Sequence, residues 1–92
     1  MISVKEAYMI AMKFKPQTDF DEFDYLSGIG RYENGTYIFA FSKGESTGKP
    51  TTGGLNIFVD GESGKAFQST WLDYGLAGNK ITKHYVREDV LG

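Results

Sequence analysis

Residues 37–70 decide the fold: YIFAF, then a Gly/Thr-rich insertion, then LNIFVDGESGKAFQST. In the first run, Tyr37, Phe39 and Phe41 fall on one face of a strand and Ile38 and Ala40 on the other, because strand side chains alternate sides. A strand that is apolar on both faces belongs inside a sheet, so residues 36–42 are predicted as a central strand. Residues 55–60 alternate again, with Leu55, Ile57 and Val59 against Asn56, Phe58 and Asp60. The polar, Gly-containing run at 60–65 predicts a tight turn. The following strand is placed at 65–71, with Phe67 and Trp71 as its large residues.

Toward the N-terminus, Asn34-Gly35 precedes the central strand. Asn-Gly suits a type I′ hairpin, whose two central residues need positive φ. The strand before it is placed at 23–33. There Phe23, Tyr25, Ser27 and Ile29 share one face, and Leu26, Gly28, Gly30 and Tyr32 the other. Glycines inside a strand mark a bulge, a bend or the close approach of a neighbour, and a helix is the natural neighbour here. Ser3-Val4-Lys5-Glu6 supplies that helix with a capping box. Val4, Ala7, Tyr8, Ile10, Ala11 and Phe14 form its apolar face, and Lys5, Glu6, Met9 and Lys13 its polar one. Pro16 ends it, because the residue before a proline is pushed out of helical geometry, so the helix is placed at 4–15.

Toward the C-terminus, residues 43–54 read as a long loop by their Gly, Thr and Ser content. In the tail, 72–92, residues 81–86 alternate weakly as a fifth strand, and 87–91 suit a helical turn. The sum is an α+β domain with an N-terminal helix packed on a four- to five-stranded antiparallel meander sheet.

The chain has 92 residues, enough for a single domain, here 1–92. An aromatic share of 15% gives so short a chain large side chains with which to build a core. The net charge of −2 lacks the basic footprint of a general nucleic-acid binder, so no nucleic-acid partner is expected. The absence of Cys excludes disulfides and thiolate metal sites. MISVKEAYMIAMKFK carries Glu6 within its apolar part and does not read as a leader. No run approaches the ~20 apolar residues of a membrane span. A soluble, cytoplasmic protein with no membrane partner is expected.

Several chemistries fail on spacing. Gly44-Glu45-Ser46-Thr47-Gly48-Lys49 imitates a phosphate loop, but that motif needs one more residue between its glycines and a Ser or Thr after the Lys, where Pro50 stands. The turn at 60–65 is too short for a calcium loop. His84 is the only histidine, so it cannot make a zinc site alone, and no nucleophile context accompanies it. The reading is a non-enzyme without metal or cofactor.

Two stretches suit a protein partner. Asp19, Asp21, Glu22 and Asp24 interleave with Phe20 and Phe23 in an acidic connector fit for a basic, partly apolar surface. Trp71, Asp73 and Tyr74 combine residue types that recur at interface hot spots. An exposed sheet edge is a third candidate contact, for a partner or for a homodimer, the latter suiting a phage or mobile-element protein that acts through self-association.

This order of elements resembles the small bacterial immunity proteins of the immunity protein 35 family. The resemblance lies in an N-terminal helix, a strand carrying YIFAF, and a hairpin of the form apolar-x-Val59-Asp60-x-x-Ser63-Gly64-Lys65, over residues 4–70. The resemblance implies a cytosolic, non-catalytic protein that binds and neutralises a toxin, for which a basic nuclease would suit the acidic balance. The same hairpin is similar to the D-x-x-T-G-K turn of PepSY-type domains, which would imply a module holding a peptide or small molecule against an aromatic sheet face.

Overall fold

The computed structural model of the chain describes residues 1–18, 24–42, 55–68 and 81–91. The first helix, α1, spans Val4–Phe14. Its N-cap forms as the capping box requires: Ser3 Oγ accepts from the Glu6 amide at 3.1 Å. The return contact differs from expectation, since the Glu6 carboxylate accepts from the Ser3 hydroxyl at 3.3 Å rather than from the backbone.

The helix does not stop by leaving helical geometry at Lys15, which keeps φ −51 and ψ −44. Instead the chain tightens into a 3-10 turn over Lys15–Thr18. Pro16 has no amide hydrogen to continue the α ladder, but its fixed φ suits a 3-10 turn. Thr18 Oγ1 donates to the Lys15 carbonyl at 2.7 Å and closes it.

Five strands follow: β1 (Tyr25–Tyr32), β2 (Thr36–Ser42), β3 (Leu55–Asp60), β4 (Ala66–Gln68) and β5 (Ile81–Tyr85). A short helix, α2, covers Glu88–Leu91. The sheet is antiparallel, in the order β4-β3-β2-β1-β5. The first four strands form the expected meander with β2 central. The fifth leaves it, pairing with β1 at the opposite edge from β4. From there the chain turns onto the helix side, where α2 packs on α1 and Val90 enters the core.

The core lies between α1 and one face of the sheet. Ala7 and Ala11 are fully buried, and their small side chains let the helix sit close to Phe39, Ile57 and Val59. Tyr8 meets Phe39 at 5.8 Å between ring centres. Fully burying Phe39, Ile57 or Val59 contributes roughly 1.5–3 kcal/mol each. The N-terminal residues are tied in by two bonds. The Ile2 amide donates to the Gly61 carbonyl at 2.9 Å, and the Tyr37 hydroxyl donates to the Ile2 carbonyl at 2.8 Å.

Two sequence expectations about β1 change. Leu26 and Ile29 were assigned to opposite faces, yet both are buried in the same core. The register slips between Leu26 and Gly28, leaving Ser27 as the extra residue of a bulge. A bulge inverts the alternation beyond it. The neighbour of the glycines is also not the helix. A side chain at Gly30 would meet Ile81 at 3.0 Å and Ile38 at 3.4 Å, on the face away from α1. That face carries a second aromatic group. Phe58 and Phe67 stack at 5.3 Å, and Tyr32 lies 6.2 Å from Phe58. Burial there pushes the Tyr32 phenol above its ordinary pKa.

The first hairpin also differs in detail. Its loop has three residues between β1 and β2, and the Gly35 amide donates to the Tyr32 carbonyl at 2.9 Å. Gly35 takes φ 91 after the turn, not within it. A three-residue loop ending in a left-handed glycine is the next most favoured hairpin after the two-residue form. The Asn34 side chain accepts from the Thr36 amide at 3.0 Å, a local bond that steadies the loop. In the second hairpin, Gly64 takes φ 73 and its amide donates to the Asp60 carbonyl at 2.8 Å. Among the described residues no helix is long and apolar enough to cross a membrane.

Candidate partner-binding surface

Of the residues assigned to partner binding from sequence, Asp19, Asp21, Glu22, Trp71, Asp73 and Tyr74 lie outside the described residues, as does the insertion at 43–54. Asp24 is described; it is exposed and stands immediately before β1. The remaining candidate, an open sheet edge, is fully described at β5.

β5 reads ITKHY, and all its residues but Tyr85 are exposed. Its weak alternation is that of an edge strand, which packs on one side only. Pairing with β1 runs Ile29↔Tyr85, Gly30↔His84, Arg31↔Lys83 and Tyr32↔Ile81. A register shift at the last pair leaves Thr82 over, and its hydroxyl donates to the Arg31 carbonyl at 3.3 Å.

This register sets two cations, Arg31 and Lys83, directly opposite each other. Like charges in that position oppose strand pairing. Among the described residues neither meets a carboxylate. Lys83 Nζ lies 5.0 Å above the Tyr85 ring, and Arg31 Nη1 lies 4.0 Å from Met1 Sδ. Two residues past the strand, the Arg87 guanidinium lies 4.7 Å above the Tyr25 ring. Among the described residues, the side-chain contacts of these three cations are rings and a sulfur, never a carboxylate. Lys83, Tyr85 and Arg87 therefore make a cation–aromatic–cation stripe on an acidic protein. Tyr85 is anchored by Tyr37 at 6.2 Å, which ties the stripe to the core.

Beside the stripe the sheet is open. β5 pairs with β1 only from Ile29 onward, so the outer side of residues 25–28 has no strand partner among the described residues. A cavity of about 320 Å³ occupies this corner, lined by residues 27–29 and 85–88. Its polar wall includes Ser27, whose hydroxyl is already committed to the Ala40 carbonyl at 3.1 Å.

An unpaired strand edge offers backbone donors and acceptors to an extended chain, and the cations offer attraction to an anionic one. Among the described residues, no group of three or more His, Asp or Glu side chains is placed to hold a metal ion. The sequence reading missed Arg31, Lys83 and Arg87. The spacing of Lys83, Tyr85 and Arg87 was visible, but the pairing with Arg31 depends on which edge β5 joins. No protein-family model matches the chain, and neither the curated proteins nor the solved structures contain a significant match.

Proposed function

We propose that the chain is a small non-catalytic binding protein of the immunity or inhibitor type, which neutralises a protein partner by covering part of its surface. The observation that carries this reading is the β5 edge. Among the described residues it is exposed, paired on one side only, anchored to the core through Tyr85, and bears cations that meet no carboxylate. A surface of this kind gains by association what it lacks alone. The resemblance of residues 4–70 to immunity proteins supports the same reading and suggests a toxin as the partner.

The test is a titration of the purified chain against the product of the adjacent gene. The expected result is a one-to-one complex and loss of that product's activity at stoichiometric ratio. Full activity in the presence of excess chain would discard the inhibitor reading.

A ligand-holding module has one observation in its favour, the cavity of about 320 Å³. That cavity lies at the sheet edge. Between α1 and the sheet, where such a module would hold its ligand, Ala7, Ala11 and Phe39 are fully buried against one another.

A further inference from the structure

We propose that β5 receives an extended, acidic segment of its protein partner as a sixth strand, with Lys83 and Arg87 meeting carboxylates two positions either side of an apolar residue seated at Tyr85. The inference rests on the binding role above and names the chemistry of its partner.

Three observations converge on β5. Among the described residues its outer side has no strand partner, so alternate backbone groups are free of a ladder there. On the core side β5 carries the cation Lys83 and the aromatic Tyr85, and two residues past the strand a second cation, Arg87, lies over the Tyr25 ring. Arg31 stands one strand behind Lys83 and adds its charge to the same spot. A strand facing this stripe is favoured when it reads acidic, any, apolar, any, acidic, because directly opposed residues of opposite charge attract and those of like charge repel.

The same charges oppose pairing with a second copy of this chain about Lys83. Two β5 edges paired antiparallel about Lys83 would set that lysine against itself, beside two copies of Arg31. Lysine on an edge strand commonly guards against self-pairing. Here the guard also selects the partner, since an acidic strand converts the repulsion into attraction.

The probe is an acetylated, amidated peptide of sequence Thr-Glu-Thr-Val-Thr-Glu-Thr, titrated into the isotope-labelled chain and followed by amide NMR. Its controls are the same peptide with Lys for Glu, the same peptide N-methylated on the amides that would face β5, and single-stranded oligothymidine. The expected result is shifts concentrated at residues 81–87, with the Glu peptide binding at least about tenfold more tightly than the Lys peptide. N-methylation abolishes binding. Lys83→Gln weakens the Glu peptide, and Lys83→Glu reverses the preference, in both cases with the amide spectrum elsewhere unchanged.

Equal binding of the N-methylated peptide overturns strand addition, as does tighter binding of oligothymidine or no shift at millimolar peptide. The two proposals fail separately. A chain that neutralises its partner but ignores these peptides binds through another surface; one that takes the peptide but leaves the partner active is a peptide binder and no inhibitor.

Discussion

The centre of the sheet and its β1–β5 edge obey different rules. In β2 and β3, Phe39, Ile57 and Val59 are fully buried, and a second aromatic group lines the reverse face. Their large apolar side chains pack against others of the same chain. At the edge, two bulges interrupt β1's ladders, two cations face each other, and the strand that carries one of them is exposed. The centre is packed within the chain, while the edge carries cations that meet no carboxylate among the described residues. The difference teaches where to look for function: at the place where local rules are broken without compensation among the described residues.

The comparison is broken most severely at Phe39. Phe39→Ala should cost about 3–5 kcal/mol, a large part of the roughly 5–15 kcal/mol that holds a small domain together. Urea unfolding followed by circular dichroism measures it. A loss below about 1 kcal/mol would mean that the centre is not the tightly packed body described here.

The seam between the two regions is Gly30. Gly30→Val places methyl groups against Ile81, already 3.0 Å from a bare Cβ, and against Ile38. The overpacking should cost about 1–3 kcal/mol. Ile81 belongs to the exposed strand and yields first, so hydrogen exchange should speed up in β5 while β2 and β3 keep their protection. Uniform loss of protection would show that edge and centre are one cooperative unit.

Lys83→Glu probes the edge itself. Replacing the like-charged pair with Arg31 by an opposite one should stabilise the free domain by about 0.2–1 kcal/mol. The same change should remove affinity for an acidic segment. Gain in stability with loss of binding is the signature of a residue kept for association, and a destabilised variant would contradict it. The smallest effect belongs to the hairpin at residues 60–65. The Glu62 amide donates to Asp60 Oδ1 at 2.8 Å and, as the largest cause, holds that carboxyl below its ordinary pKa. A depressed carboxylate pKa stabilises the fold above the unfolded value, and the contribution disappears as pH falls through the folded one. Acid titration of the wild type should therefore show slightly more loss of stability below the usual carboxylate range than Asp60→Asn.

Much of the centre was legible because its signals are local. Ser3 and Glu6 mark the helix start three residues apart, and the alternation from Tyr37 to Phe41 identifies a two-sided strand without knowledge of its neighbours. The misreadings are non-local. Nothing near Ser27 announces that it is the extra residue of a bulge, and that single slip carries Leu26 and Ile29 onto one face. Gly30 was correctly read as a place of close approach, but the approaching residue, Ile81, comes from the far end of the chain. For the same reason the edge could be named as a candidate contact while its charge pattern could not be read. Arg31 and Lys83 become neighbours only once β5 is known to sit beside β1 instead of β4.

The placement of β5 also sets an order of events in time. Its ladder with β1 joins Ile29 to Tyr85 and so encloses every other strand of the meander within one loop. Closing a long loop spends chain entropy before any contact rewards it, which makes such pairings late and slow. Until β5 arrives, β1 is itself a bare edge, and the repulsion between Arg31 and Lys83 does nothing to hasten its covering. The nascent domain is thus open to intruding strands along β1, the edge that β5 covers in the folded chain.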